Sequence, residues 1–306
     1  MDEPIPWWRS PFLALYGAVY AALLFAWHVR DGAQLTQPVL VFLILGVGFS
    51  GMARFTTRGA APLPYTVRRP SNESVALLIY VAGLAALLVW GFGVDRVVHT
   101  EPWKSLGVLI VKLLVFVLLP GGILSFISRY QPFDLLGSVG QWRQHRWPMI
   151  WMCFALISFQ CTVGRGFIDV RHAGFPVWKL IVGVPLAFFW LALEVGLVEE
   201  FFFRVLLQSR LAAWTKSETA GVVLMALLFG LAHAPGLYLR TGQTQEGLGA
   251  HPSLLAAVAY SVVYTSVAGL FLGVLWARTR NLILLIAVHA AGDLVPNLAQ
   301  FIKTWL

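Results

Sequence analysis

Nine apolar stretches, each long enough to cross a lipid bilayer as a helix, constrain the fold of this chain more than any other feature. The hydrocarbon core of a bilayer is about 30 Å thick and requires about 20 helical residues. Backbone polar groups in lipid must be satisfied within the segment, so such stretches fold as helices. The stretches are Phe12–Val29, Pro38–Phe55, Ser74–Val94, Ser105–Ile127, Trp147–Gly164, Lys179–Leu211, Thr219–Leu239, Ser253–Ala277 and Leu282–Phe301. The sequence therefore predicts an all-α, polytopic membrane helical bundle of about eight to nine transmembrane helices.

The composition excludes the soluble alternatives. Hydrophobic residues make up 58% of the chain and charged residues 12%, and the mean hydropathy is +0.76. Soluble proteins contain about 25% charged residues, so an ordinary globular enzyme, a coiled coil and a disordered chain are all excluded. The segment Met1–Trp8 contains two acidic residues and no lysine, and the stretch after it is long enough to span. We therefore expect the first helix to be retained rather than removed as a signal peptide.

The positive charge of the chain fits a membrane protein better than a nucleic-acid partner. The net charge is +8, but the basic residues lie singly at the ends of apolar stretches, without a basic stripe. Twelve Lys and Arg residues lie at span ends on the same side of the membrane as the N-terminus, and eight lie on the opposite side. Because cytoplasmic loops carry more Lys and Arg, this difference favours a cytoplasmic N-terminus. Cys153 and Cys161 are too few for a disulfide framework or a cysteine-based zinc site, and we expect both to be small buried side chains. Few cysteines and short loops indicate a prokaryotic plasma membrane.

Ionisable residues are concentrated in the last four apolar stretches. In the first five, Lys112 is the only one deep within apolar sequence. A charge at the bilayer centre costs about 2.5–3.5 kcal/mol even on the most lenient scale, so these groups must meet one another or water inside the bundle. We therefore expect four separate segments to converge on one polar site. The ionisable residues are Glu194, Glu199, Glu200, Arg204, His233, His289 and Asp293.

The spacing within each segment indicates which side chains share a helix face. Glu200 and Arg204 are four residues apart, so the acid and the base can pair locally. Glu199 is rotated from Glu200 by about 100° and is a candidate general base. Phe229 lies one turn before His233, where Ala-Pro-Gly is expected to end the helix, and His289 lies one turn before Asp293.

Each of these features also has a purely structural interpretation. An intramembrane Glu–Arg pair can simply join helices, and a histidine on a helix face is often an interhelical hydrogen-bond donor. We expect Glu194 and Asn297 to make interhelical or supporting polar contacts, and Lys112 to snorkel towards the interface or to face an unidentified partner. The combination of all the motifs in order favours a functional site.

The three motifs, in this order and in a membrane context, resemble those of the CAAX-protease and bacteriocin-processing (CPBP/Abi) family of glutamate-type intramembrane endopeptidases. The resemblance covers about residues 180–300. It implies a conical intramembrane polar cavity, in which Glu199 and His233 activate a water and His289 and Asp293 stabilise the oxyanion. The remaining matched residues, which support this site, are Glu200, Arg204 and Phe229.

One position departs from the pattern of the similar eukaryotic prenyl-protein enzymes, which carry asparagine where this chain has Asp293. Asparagine donates a hydrogen bond to an oxyanion, whereas an ionised aspartate repels it. Asp293 must therefore be protonated, orient His289, or bind a cation. Two histidines and a glutamate could also bind zinc, but the His-Glu-x-x-His signature is absent. We expect neither a metal nor another cofactor.

These observations predict two parts, with N-terminal helices in residues 1–178 that select substrates and a catalytic core in residues 179–306. The predicted partners are the lipid bilayer and a membrane-embedded protein or peptide substrate, without nucleic acid. The oligomeric state stays open. Two other functions are compatible with intramembrane acids and histidines: a proton-coupled transporter, and a non-catalytic scaffold or immunity protein on the same fold.

Overall fold

The computed structural model describes residues 9–63, 65–89, 98–131, 134–135, 143–239 and 248–306. The long elements of this part of the chain are helices, which we number in chain order. They are α1 Pro11–Asp31, α2 Thr36–Thr56, α3 Pro70–Val89, α4 Trp103–Ser128, α5 Arg146–Val163, α6 Gly166–Ala173, α7 Val177–Thr215, α8 Glu218–Leu239, α9 Leu254–Thr279 and α10 Leu282–Trp305.

Eight of these helices are long and apolar enough to cross a membrane, and α5 with α6 forms a ninth span if the bent pair counts as one. The predicted polytopic helical bundle is therefore confirmed, and the protein is an integral membrane protein. The two helices of the pair meet at 68°, because Gly164 leaves the helical conformation and extends the chain. The end of the third predicted stretch, residues 90–94, lies outside the described residues.

The longest predicted stretch is a single helix, α7, of 39 residues. A regular helix of this length is about 58 Å long, nearly twice the hydrocarbon thickness, so one end extends beyond it. Two segments of α7, Ala192–Leu197 and Glu200–Gln208, have the wider π-helical turn, a distortion that is frequent at functional sites. Residues 200–212 are buried at every position, so this part of the helix faces protein on all sides.

The chain divides into two compact units, each made of separate sequence segments. The first comprises Met1–Arg54, Val67–Phe92 and Leu206–Ala277, and the second comprises Phe55–Thr66, Gly93–Val205 and Arg278–Leu306. The functional division at residues 178 and 179 stays a prediction, since the units describe packing.

The core of the first unit joins α1 to α8 and α9. Tyr16 and Tyr20 are buried against Val223 and Val267, and the Tyr16 hydroxyl lies 2.8 Å from the Ser266 hydroxyl. The same unit contains an ion pair between fully buried side chains, with Arg210 Nε 2.7 Å from Glu73 Oε2. This pair joins α3 to the end of α7.

In the second unit, α10 packs along both α7 and α5. Ala187 and Leu191 of α7 form a buried cluster with Ala290 and Leu294 of α10. Gly196 allows the close approach of the two helices, since a Cβ atom there would lie 2.8 Å from the Ile286 carbonyl oxygen. The short distance between the α7 and α10 backbones allows polar side chains of the two helices to meet.

Candidate active site

The π-helical part of α7 and the middle of α10 hold five of the predicted site residues. Glu199, Glu200 and Arg204 lie on α7, and His289 and Asp293 lie on α10. All five belong to the second unit. The two segments, separated by about 90 residues of sequence, thus form one polar cluster inside an apolar bundle.

Glu200 is the direct partner of His289. Its Oε1 atom lies 2.6 Å from the Nδ1 atom of the imidazole, and its Oε2 atom lies 3.4 Å from Arg204 Nε. The side chains of Glu200 and Arg204 are both 0% exposed. Glu200 therefore connects the guanidinium to the imidazole and sets the orientation of the histidine ring.

The other ring nitrogen of His289 faces two further carboxylates. Its Nε2 atom lies 3.9 Å from Glu199 Oε2 and 3.7 Å from Asp293 Oδ2. These distances are too long for direct hydrogen bonds. The side chain of Glu199 is 17% exposed and that of Asp293 is 36% exposed, whereas Glu200 is fully buried. The Nε2 side is thus the accessible side of the ring.

His233 and Phe229 lie on α8 in the first unit, one turn apart on the same face. The Nδ1 atom of His233 is 2.7 Å from the Phe229 carbonyl oxygen, and the two rings meet edge to face at 4.8 Å. Because a carbonyl oxygen only accepts, Nδ1 is the donor in this contact, and in the neutral ring the lone pair lies on Nε2. The expected convergence of His233 with Glu199 stays a prediction.

The expectation that α8 ends at Ala234-Pro235-Gly236 is wrong, because the helix continues to Leu239 with Pro235 inside it. Proline removes one backbone hydrogen bond, but neighbouring helices in a membrane bundle can compensate for its loss. His233 therefore sits within a helix and not beside unwound backbone.

Lys112 has a partner and does not need to snorkel. Its Nζ atom lies 2.5 Å from Glu194 Oε1 and 3.5 Å from the backbone oxygen of the same residue. This contact joins α4 to the π-helical turn of α7 that precedes Glu199. The interpretation of Glu194 as an interhelical polar contact is confirmed. Asn297, in contrast, donates to the Asp293 carbonyl oxygen on its own helix, at 2.8 Å.

Sequence reasoning missed two polar contacts. Arg210, one of the twelve basic residues counted at the ends of the spans, is buried and paired with Glu73. Gln160 of α5 donates from Nε2 to the backbone oxygen of Gly292, beside Asp293. The available signal for Gln160 was a single amide side chain near the end of an apolar stretch. One expectation about the cysteines is wrong, since Cys161 is exposed on α5.

Within the described part of the chain, no group of three or more His, Cys, Asp and Glu side chains has the arrangement of a metal site. The cluster at His289 instead consists of one imidazole between carboxylates, with a guanidinium behind them. Such a set can accept a proton, hold a water and place a positive charge next to a developing oxyanion.

Comparison with known families assigns this region. Residues 181–295 match the family model described as type II CAAX prenyl endopeptidase Rce1-like. The match contains all seven predicted site residues and covers more than a third of the chain. No match was found among curated proteins or among solved structures. The helices that carry Glu199, His233 and His289 therefore form an Rce1-like domain, consistent with the CAAX-protease and bacteriocin-processing family.

Proposed function

We propose that this protein is a glutamate-type intramembrane endopeptidase that hydrolyses a peptide bond of a membrane-embedded protein or peptide. The observation that carries the proposal is the position of His289, whose Nδ1 atom contacts buried Glu200 while Nε2 faces Glu199 and Asp293. The occurrence of this cluster inside an Rce1-like domain supports a protease.

In the proposed reaction, Glu199 and His233 together activate one water. Glu199 takes a proton from the water as its oxygen attacks the carbonyl carbon, and the Nε2 lone pair of His233 accepts a hydrogen bond from the same water. The C–N bond then breaks, and Glu199 returns the proton to the leaving amine. A positioned base of this kind contributes about 10²–10⁴-fold to the rate.

His289 stabilises the oxyanion in this proposal. With both ring nitrogens protonated, Nδ1–H donates to Glu200 and Nε2–H donates to the oxyanion that forms from the substrate carbonyl. A preorganised donor of this kind is worth about 10²–10³-fold in turnover. Asp293 lies 3.7 Å from Nε2 and orients the ring before substrate binds. In this proposed role Asp293 acts through His289 and makes no direct contact with the oxyanion.

The family description and the membrane location support a membrane-associated substrate. We propose C-terminal processing of a membrane-anchored protein, with a prenylated chain, a sorting anchor or a peptide precursor as the candidate classes. The helices of residues 1–178 precede the Rce1-like domain and are proposed to select among them. The reaction is proposed to need no metal, because Glu199 and the two histidines supply the base and the oxyanion donor.

We expect His289→Ala and His233→Ala each to lower turnover by at least about 100-fold. The membrane proteomes of cells with the wild-type protein and with each variant would first be compared to find the cleaved substrate. Cleavage of that substrate would then be measured in proteoliposomes, with and without a chelator. His251→Ala, an exposed loop residue, is the matched control and should retain full turnover.

Three outcomes of this experiment would contradict the proposal. Full turnover in His289→Ala would remove the oxyanion role, and chelator inhibition reversed by zinc would indicate a metal enzyme. Proton-coupled solute flux without any cleaved peptide would identify a transporter.

We also propose that the N-terminus faces the cytoplasm of a prokaryotic cell, because more Lys and Arg residues flank that side of the spans. Arg9→Cys, made in a Cys153→Ser/Cys161→Ser background, should react with a membrane-impermeant maleimide only after the cells are permeabilised. Labelling of intact cells would place the N-terminus outside.

A further inference from the structure

The catalytic helix α10 contains a proline close to the site. Pro296 lies inside the helix, three residues after Asp293. Proline has no backbone N–H, so the helical hydrogen bond to the carbonyl four residues earlier cannot form. The carbonyl that loses its intrahelical donor is that of Gly292, which lies between His289 and Asp293 in the sequence. In a membrane-embedded bundle, a carbonyl without a donor costs several kcal/mol.

A side chain from another helix supplies the missing donor. The Nε2 atom of Gln160, on α5, donates to the Gly292 oxygen at 3.3 Å. Gln160 lies before residue 181 and is therefore outside the matched domain. The hydrogen bond that the proline removes from the catalytic helix is thus replaced by a residue of the N-terminal part.

Two glycines lie at the break between α5 and α6, one next to Gln160 and one next to α10. A Cβ atom at Gly164 would overlap the Gln160 side-chain oxygen, so a larger residue there would displace the amide group. A Cβ atom at Gly166 would lie 2.5 Å from the Val295 oxygen and 2.6 Å from the Pro296 Cα. Gly164 therefore leaves space for the Gln160 amide, and Gly166 lets the start of α6 lie directly against the proline of α10.

We propose that Gln160 is a positioning residue, which satisfies the Gly292 carbonyl beside Pro296 and thereby keeps His289 and Asp293 in place opposite Glu199 and Glu200. The inference rests on the proposed function for its kinetic consequence. The C-terminal part of α10 is packed closely against α7, with a Cβ atom at Gly183 only 2.8 Å from the Ile302 side chain. Gly196 keeps the part of α10 before the proline equally close to α7, so a bend at Pro296 would shift the packing of α10 on α7, and with it the half that bears His289 and Asp293. A displacement of about 1 Å can lower turnover by about 100-fold.

The kinetic test is a double-mutant cycle between Gln160 and Pro296. Gln160→Met has a similar length but no donor, and we expect it to lower kcat about tenfold with KM unchanged. Pro296→Ala restores the backbone N–H to α10, so Gln160→Met should have no further effect in that background. Thr162→Val is the matched control on α5, because Thr162 is exposed and its hydroxyl donates to the Ser158 and Phe159 carbonyl oxygens of the same helix.

An equal loss of kcat in both backgrounds would show that Gln160 only fills space, and an unchanged kcat in Gln160→Met would also overturn the inference. A wild-type protein without any cleavage would contradict the proposed function instead. In that case the role of Gln160 is tested by a measurement that does not depend on activity.

Nuclear magnetic resonance provides that measurement. Gly292–Asp293 is the one Gly-Asp dipeptide in the sequence, so protein with ¹³C-carbonyl glycine and ¹⁵N-aspartate gives a single correlation from this peptide bond. We expect its carbonyl resonance to move upfield in Gln160→Met, because the hydrogen bond is lost, and to stay unchanged when the same substitution is made in Pro296→Ala. An unchanged resonance in Gln160→Met alone would overturn the inference.

Discussion

Replacement of Glu199 by glutamine should abolish peptide cleavage and leave the protein as stable as the wild type. Glutamine has nearly the same shape but cannot take a proton from water, so the loss in kcat should reach about 10³–10⁴-fold, the upper range for a general base. The side chain is 17% exposed and lies 3.9 Å from His289 Nε2. The substitution thus removes a charge from the open side of the site, where water can compensate.

Cleavage of the identified substrate in proteoliposomes measures this effect, and thermal unfolding in detergent measures the stability. Glu218→Gln, at an exposed position in the first turn of α8, is a matched control and should keep wild-type turnover. Turnover within a factor of two of the wild type in Glu199→Gln would rule out Glu199 as the base.

Replacement of the neighbouring Glu200 by glutamine should destabilise the fold, by about 3–5 kcal/mol, in addition to lowering turnover. The removal of one partner from a buried ion pair has a cost in this range. Glu200 and Arg204 are both 0% exposed, and the same carboxylate is 2.6 Å from His289 Nδ1. The substitution therefore takes a buried charge away from the guanidinium and the imidazole together.

The free energy of unfolding in mixed detergent micelles, compared between Glu199→Gln and Glu200→Gln, tests this prediction. The two variants make the same chemical change at adjacent positions, so a difference in stability reflects burial and partners. Glu200→Gln/Arg204→Met should recover part of the loss, because the second substitution removes the remaining buried charge. Equal stabilities of the two single variants would contradict the structural role of Glu200.

Local features of the sequence predicted the helices and the same-face pairs. Nine apolar stretches correspond to eight spanning helices and one bent pair, because stretch length alone decides whether a helix can cross lipid. The spacing of Glu200 and Arg204, and of Phe229 and His233, correctly predicted contacts within one helix. The prediction failed at Pro235, where the effect of a proline depends on the packing around it.

The sequence did not predict which side chains pair between helices. Glu200 was expected to be neutralised by Arg204, but it is also the hydrogen-bond partner of His289, on another helix. Lys112 and Glu194 were each recognised as polar residues that need a partner, yet their pairing was not foreseen. In both cases the sequence showed that a buried charge needs a partner without showing which one.

The sequence by itself determined that this is a helical membrane protein and which residues share a helix face. It also showed that the polar motifs between residues 180 and 300 resemble those of a protease family. The tertiary structure alone decided that Glu200 holds His289 and that Gln160 donates to Gly292. The reason is physical. Apolar length and helical periodicity act over a few neighbouring residues, whereas the partner of a buried polar group depends on how two distant helices rotate and approach each other.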